Sequence, residues 1–276
     1  MNKTGRIVRQ ISNLYTVLSD TTKYDCRARG KFRNDSITPL VGDFVTFDDE
    51  TLYILDIHER KNEMSRPTIA NVDAALIMTS VKKPDLSLSL LDKQIAIVMD
   101  AKIEPIICLS KMDLLTRKEK KVIKGIFSYY KSIGIKVVDN QHLTKLKKVI
   151  KGKEIVLTGQ TGSGKSTLLN KLDKRLDLET NEISKALNRG VHTTRHTELY
   201  EVSSSLIADT PGFSALDLNM SKEELKNCFS EFKNAKCKFD NCTHTKEVGC
   251  QVKDRVDKGD IMKSRYDNYV KFWGEL

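Results

Sequence analysis

The sequence predicts a multi-domain fold: a small N-terminal β-barrel, a central α/β domain and a C-terminal, mostly helical region around clustered cysteines. Three observations support this division. Short β-like runs broken by turn residues come first, strands then alternate with helices, and three cysteines and a histidine lie close together near the end. We expect the domains to occupy residues 1–62, 63–215 and 216–276.

The composition indicates a soluble protein that binds a polyanion. Of the 276 residues, 39% are hydrophobic and 30% are charged, and no apolar stretch reaches the roughly 18 residues needed to cross a bilayer. The sequence shows no export signal, so we expect a cytoplasmic protein. We also expect it to be a monomer and to have no membrane partner. The net charge of +10 is concentrated in residues 117–153, with 12 basic and 2 acidic residues, and in residues 1–33, with 8 and 2. Solvated lysine-rich helix faces are the alternative interpretation.

Five β-like runs between Thr4 and Ile57 suggest a barrel of the OB type. Arg27, Arg29, Lys31 and Arg33 lie two residues apart, so they share one face if the third strand continues that far. A nucleic-acid groove requires such a face, although few aromatic residues are available there to stack on bases.

The central region alternates strands and helices, as an α/β sheet requires. Thr116 with Glu119 three residues later is a capping box, and Gly134 provides the stop for that helix. The pattern predicts strands at 74–78, 105–109, 135–138 and 154–158, and helices at 88–99, 116–133, 143–149 and 167–172.

A G-x-x-x-x-G-K-[ST] motif follows the strand at 154–158 and precedes a helix. The motif and the residue after it are Gly159, Gln160, Thr161, Gly162, Ser163, Gly164, Lys165, Ser166 and Thr167. Its glycines let backbone N–H groups turn toward phosphates, Lys165 reaches the β and γ groups, and the Ser166 hydroxyl ligates Mg²⁺. This P-loop predicts binding of a nucleoside triphosphate with magnesium.

A second element of a nucleotide site lies at residues 209–212. Asp209 ends an apolar run and precedes Thr210, Pro211 and Gly212, so its carboxylate can hold Mg²⁺ through water while the Gly212 N–H contacts the γ-phosphate. A surface turn is the alternative for this tetrapeptide by itself.

Ser110, Lys111, Met112 and Asp113 follow a strand and match three of the four positions of the guanine-reading N-K-x-D element, with Ser in place of Asn. The Asp113 carboxylate can accept hydrogen bonds from guanine N1–H and the 2-amino group, and adenine offers neither donor. Because this base-reading element precedes the phosphate loop, the GTPase elements are circularly permuted. Between P-loop and Asp209, Thr193 or Thr194 can complete the Mg²⁺ shell.

Cys237, Cys242, His244 and Cys250 provide three thiolates and one imidazole, which is enough to close a tetrahedral structural zinc site. A buried cluster of reduced cysteines is the alternative. The isolated residues Cys26, Cys108 and Cys228 are expected to be small buried side chains.

Together these motifs resemble the small ribosomal subunit biogenesis GTPase family, RsgA (also called YjeQ). The resemblance rests on the order of barrel, permuted GTPase and Cys3His cluster, and on these motifs: Arg66-Pro67 with residues 69–73, Ser110 to Asp113, the P-loop, the 190–194 and 209–213 segments and the four zinc ligands. It implies a GTP-hydrolysing factor that binds the 30S subunit late in maturation, contacts 16S rRNA and is stimulated by the ribosome.

Two other functions fit parts of the pattern. One is a nucleotide-gated RNA-binding module in which hydrolysis is incidental, and the other is a P-loop small-molecule kinase with a zinc lid, against which Asp113 argues. Many GTPases orient the attacking water with a glutamine after the D-x-x-G element, but Phe213 and Ser214 follow here. His192 is the nearest polar candidate for that role, and packing or an rRNA contact is its alternative role.

Overall fold

A computed structural model describes residues 1–30, 32, 37–65, 67–176, 198–202, 204–209 and 217–276. The chain folds into two compact units, each of which is described by itself. Unit 1 contains Met1–Leu76, Asn140–Thr158 and the described part of Gly164–Gly212. Unit 2 contains Ile77–Asp139, Gly159–Ser163 and the described part of Phe213–Leu276. The domain boundaries expected after residues 62 and 215 stay predictions.

The predicted elements between residues 74 and 172 are confirmed, with ends that shift by at most two residues. The strands are β1 (Asn2–Ile11), β2 (Leu14–Ser19), β3 (Thr22–Ala28), β4 (Phe44–Asp48), β5 (Tyr53–Ile57), β6 (Glu63–Ser65), β7 (Thr68–Ala70), β8 (Ala74–Ser80), β9 (Glu104–Ser110), β10 (Lys136–Asp139), β11 (Glu154–Gly159), β12 (Glu198–Val202) and β13 (Ser205–Asp209). The helices are α1 (Leu88–Asp100), α2 (Arg117–Ser132), α3 (Leu143–Ile150), α4 (Lys165–Leu172), α5 (Lys222–Asn227), α6 (Gln251–Asp257) and α7 (Lys263–Glu275). Short 3₁₀ turns lie at Met112–Leu114, Lys174–Leu176 and Ser230–Phe232.

Strands β1 to β5 close into the predicted barrel within unit 1. Strand β1 pairs antiparallel with both β2 and β4, and β3 pairs with β2. Strand β5 closes the ring, since it pairs parallel with β3 and antiparallel with β4. Closure leaves no free sheet edge, and alternate side chains fill the interior. The fully buried members are Ile7, Val17, Cys26, Val45, Phe47 and Ile54.

The third strand does not continue far enough to carry the basic face considered for Arg27, Arg29, Lys31 and Arg33. Strand β3 ends at Ala28, and the Phe32 N–H donates to the Arg29 carbonyl at 3.2 Å. That bond closes a turn that begins at Arg29, so Arg29 is not part of the strand that carries Arg27. Lys31 and Arg33 lie outside the described residues.

Arg6 joins the barrel to the strand that leads into the P-loop, within unit 1. Its side chain is buried and donates to the Glu154 carboxylate at the start of β11. It also donates to the carbonyls of Gly42 and Asn71, at 3.2 and 3.3 Å. Burial lowers the pKa of Arg6 to about 10, which still leaves the guanidinium charged at neutral pH. The backbone of Glu154 is held as well, because its N–H donates to the Asp73 carboxylate at 2.8 Å.

Unit 2 places two parallel strands, β9 and β10, beside helices α1 and α2. The capping box predicted for α2 is present: Glu119 N–H donates to the Thr116 hydroxyl at 3.3 Å, and Thr116 N–H donates to the Glu119 carboxylate at 2.7 Å. Gly134 follows the helix with a φ of 93°, in the left-handed region that glycine tolerates. None of the helices in the described ranges has the length and hydropathy needed to span a bilayer.

A buried ionic network packs the C-terminal helix against the rest of unit 2. The Arg265 guanidinium is 1% exposed and donates to Glu231 at 2.7 Å and to Asp92 of α1 at 2.9 Å. Asp92 also accepts from the Tyr130 hydroxyl at 2.7 Å and from the Asn268 amide at 2.6 Å. Burial raises the pKa of Asp92, so its carboxylate depends on these donors.

Replacing Arg265 by alanine is expected to lower the free energy of unfolding by about 3–5 kcal/mol, because two buried carboxylates lose their cation. The free energy of unfolding is measured by denaturant titration. The signal is the fluorescence of Trp273, which is the single tryptophan of the chain and lies on the same helix. Lys263→Ala is the control, since this exposed side chain of α7 pairs with the exposed Asp267 and its loss should change stability by about 0.5 kcal/mol or less. A loss below about 1 kcal/mol in Arg265→Ala would contradict the prediction.

Candidate nucleotide site and metal cluster

The P-loop lies where the motif predicts, between β11 and α4. Three of its residues have positive φ angles that favour glycine: Gly159 at 136°, Gly162 at 76° and Gly164 at 95°. Gly159 has a second constraint, because an added Cβ would lie 2.4 Å from the Met78 carbonyl oxygen of β8. The helix begins at Lys165, two residues earlier than predicted, so Lys165 and Ser166 belong to its first turn.

The predicted guanine-reading element, Ser110 to Asp113, contacts the P-loop directly within unit 2. The Ser110 hydroxyl, at the buried end of β9, donates to the Ser163 carbonyl at 2.6 Å. The Lys111 ammonium donates to the Gly162 carbonyl at 2.8 Å and also to the Lys83 carbonyl. Lys111 itself has a φ of 60°, which turns the chain sharply into the 3₁₀ turn at Met112–Leu114.

These contacts bring the two predicted halves of a nucleotide site together. Asp113 lies in the 3₁₀ turn and is exposed, as a group that accepts hydrogen bonds from a base must be. Ser110 stands where GTPases of this pattern carry Asn, and its short side chain still reaches a P-loop carbonyl. Side-chain hydrogen bonds thus link the predicted base-reading element to the phosphate loop, and the exposed Asp113 carboxylate follows directly in the chain.

The remaining predicted nucleotide residues are placed in part. Asp209 ends β13, as predicted, and the parallel register pairs it with Leu157 of the P-loop strand β11 within unit 1. His192, Thr193, Thr194 and Gly212 lie outside the described residues.

The four predicted metal ligands converge in unit 2. Their ligand atoms all lie within 4.8 Å of one another. His244 Nδ1 lies 3.5 Å from the Cys237 sulfur and 3.4 Å from the Cys250 sulfur, and these two sulfurs are 3.9 Å apart. Tetrahedral bonds of about 2.3 Å to sulfur and about 2.1 Å to nitrogen separate ligand atoms by about 3.6 to 3.8 Å. The arrangement is therefore compatible with zinc.

The electrostatics of the cluster also suit a cation. Burial raises the pKa of the Cys242 thiol to about 12 and lowers the pKa of His244. A neutral imidazole is the form that binds a metal, and a bound cation offsets the cost of buried thiolates. Cys26, Cys108 and Cys228 are buried outside the cluster, as predicted.

Sequence reasoning missed the side chains that hold the ligand loop. Glu247 accepts from the backbone N–H groups of Thr243 and Thr245, at 2.7 and 3.0 Å. The Tyr266 hydroxyl donates to the His244 carbonyl at 2.9 Å, and the Tyr269 hydroxyl donates to the Thr243 carbonyl at 2.6 Å. The two tyrosines come from α7, and no local pattern relates them to the cysteines. Glu247 lies between His244 and Cys250 in the sequence, and this position is the feature from which its supporting role could have been predicted.

Comparison with known proteins agrees with this arrangement. The sequence family described as "RsgA GTPase" matches residues 57–219, and the family "RsgA N-terminal domain" matches residues 4–52. The small ribosomal subunit biogenesis GTPase RsgA of Latilactobacillus sakei is 44% identical, over 99% of this chain and 96% of the relative. The protein of that name from Halalkalibacterium halodurans is 45% identical, with the same two coverages.

Solved structures agree as well. The crystal structure of YloQ, a circularly permuted GTPase, has a TM-score of 0.82 at 36% identity and covers 100% of this chain and 95% of its own. YjeQ from Thermotoga maritima has a TM-score of 0.85 at 32% identity, over 100% and 99% of the two chains. The predicted fold class is confirmed: a barrel, a circularly permuted P-loop GTPase domain and a C-terminal region with a Cys3His cluster. The chain belongs to the RsgA GTPase family.

Proposed function

We propose that this protein is a GTP-hydrolysing assembly factor that binds the 30S ribosomal subunit, contacts 16S rRNA during late maturation and acts as a cytoplasmic monomer. The observation that carries the proposal is the contact of a guanine-reading element with a P-loop, through Ser110 and Lys111. The relatives at about 44% identity named small ribosomal subunit biogenesis GTPases support the assembly role.

In this proposal the nucleotide lies across the two linked loops. Asp113 accepts from the guanine base, and the Lys111 stem lies along it. Backbone N–H groups of the P-loop and the Lys165 ammonium hold the phosphates at the first turn of α4. The contact set comprises Ser110 to Asp113, Gly159 to Thr167, Asp209 and Gly212.

Magnesium, when bound with GTP, neutralises charge that develops on the β and γ phosphates. The chain offers it the Ser166 hydroxyl, the hydroxyl of Thr193 or Thr194, and Asp209 through water. The location of Ser166 in the first turn of the helix after the P-loop fits this role.

The proposed water-positioning group is His192. Phe213 follows Gly212, and an apolar ring accepts no hydrogen bond from water in the way a glutamine amide would. A neutral imidazole accepts one near pH 7. We also propose zinc as the metal of the Cys3His cluster, in a structural role, because four protein ligands leave no position for a reacting water.

GTP turnover, measured with and without isolated 30S subunits at two salt concentrations, tests the function. Wild-type turnover is expected to rise by orders of magnitude with subunits, while Lys165→Ala abolishes hydrolysis because it removes a phosphate-binding charge. His192→Ala should keep GTP and subunit binding but lose roughly a hundredfold of the stimulated rate. Unstimulated wild-type turnover would favour a nucleotide-gated RNA-binding module with incidental hydrolysis. Native turnover in Lys165→Ala would exclude the P-loop assignment.

Asp113→Asn is expected to weaken selection of GTP over ATP by about tenfold to a hundredfold, because charged acceptors for the guanine donors are lost. Competition of the two nucleotides for the protein measures this selection. Leu114→Met is the matched control, since this exposed residue lies in the same 3₁₀ turn but outside the contact set, and it should retain wild-type selectivity. Equal competition curves for Asp113→Asn and wild type would show that Asp113 does not read the base, and stronger binding of ATP than GTP by wild type would favour the kinase alternative.

Metal analysis of the purified protein is expected to find one zinc per chain, and Cys250→Ser should lose most of it because the fourth ligand is gone. A chelator should lower the unfolding temperature reported by Trp273, whose helix holds the ligand loop. Cys26→Ala is the control, since this buried barrel residue lies outside the cluster. Wild-type protein without zinc and with freely reactive thiols at all three positions would exclude the site.

A further inference from the structure

Helix α2 carries a row of cations along its exposed face. The row, here called the α2 stripe, consists of Arg117, Lys121, Lys124 and Lys131. Their spacing of four, three and seven residues places them one above another on the helix, and all four are exposed. At about 1.5 Å per residue, the stripe is about 21 Å long.

The stripe lacks the acidic partners that an ordinary solvated helix provides. In α7, Lys263 bonds Asp267 at 2.8 Å and Lys271 lies 4.0 Å from Glu275. The one acidic residue of α2, Glu119, instead bonds the Thr116 backbone and Lys82. Across the described ranges of the chain, no ion pair involves a stripe residue.

This arrangement opposes helix formation. Like charges four residues apart, such as Arg117 and Lys121, repel each other, and cations in the first turn oppose the helix dipole. The capping box and the buried side chains Phe127 and Tyr130 hold the helix in place despite this. A row of cations that has no acidic partner among the described residues, on a well-anchored helix, indicates a binding surface for negative charge.

We propose that the α2 stripe docks along the phosphate backbone of a double-stranded segment of ribosomal RNA. This inference rests on the proposed function and names a surface through which the subunit is bound. A linear row of one charge sign complements a linear polyanion, and duplex RNA is recognised mainly through its phosphates and shape. The stripe contains no aromatic side chain on which single-stranded bases stack.

Other partners fit the surface less well. A protein partner requires an apolar centre, but Val122 is the one large apolar side chain of α2 that is strongly exposed. A membrane surface requires a free apolar helix face, but Phe127 and Tyr130 are 2% and 0% exposed because they pack inside unit 2.

The test uses the full-length protein with Lys121, Lys124 and Lys131 all changed to Gln. The matched control changes the same three residues to Arg, which keeps charge and exposure. Affinity for a short RNA duplex and for isolated 30S subunits is measured at several salt concentrations, with basal GTP turnover as the check on folding. The Gln variant should unfold close to the wild-type midpoint, because relief of the repulsion between Lys121 and its cationic neighbours offsets the loss of the favourable Lys131 charge in the last turn.

We expect the Gln variant to lose about tenfold or more in duplex affinity at low salt, and the slope of log affinity against log salt to fall by about two to three. Subunit affinity should fall in parallel, while the Arg variant stays within about twofold of wild type. Unchanged duplex affinity and slope in the Gln variant would overturn the proposal. Loss of subunit binding without loss of duplex binding would also overturn it, in favour of a ribosomal protein partner.

The outcomes separate this proposal from the proposed function. If subunits stimulate the wild-type protein, and the Gln variant binds both duplex and subunits as tightly as wild type does, only the proposed role of the stripe is contradicted. Wild-type protein that binds neither duplex nor subunit contradicts both.

Discussion

The hydrogen bonds from Ser110 and Lys111 to two consecutive P-loop carbonyls are the contacts on which the predicted nucleotide site depends. A phosphate-binding loop directs its N–H groups toward the ligand, so carbonyl groups such as those of Gly162 and Ser163 face the other way and need donors. The base-reading element provides these donors. The same two bonds therefore satisfy the loop and determine where Asp113 stands relative to it.

These contacts also explain why the permuted order of the elements is tolerated. The bonds join the end of β9 to the loop after β11, and neither depends on which strand is made first. The P-loop strand has its own anchor in unit 1, where buried Arg6 of the barrel meets Glu154 at its start. At the other end of this strand, close packing against Met78 fixes the start of the P-loop, because only glycine fits at position 159.

Local chemistry explains which features the sequence could predict. The P-loop, the α2 capping box and the Cys3His cluster depend on residues within about a dozen positions of each other, so spacing alone identified them. The contact of Ser110 could not be predicted, since whether a serine reaches a carbonyl 53 residues away depends on packing. The basic face considered for the barrel has a local limit, because β3 ends at Ala28 and a turn begins at Arg29. The roles of His192, Thr193 and Thr194 stay predictions, as do the domain boundaries.

The Arg265 network has a consequence for how the protein is made. Asp92 meets Arg265 across 173 residues of sequence, and Asn268 across 176. During synthesis, helix α1 leaves the ribosome long before its cationic partner has been translated, so Asp92 cannot be buried at low cost until α7 emerges. The interior of unit 2 is completed only after α7 has left the ribosome. A chain that stops short of α7 therefore lacks the cation that pairs with Asp92 of α1, as well as the tyrosines that hold the loop of the Cys3His cluster.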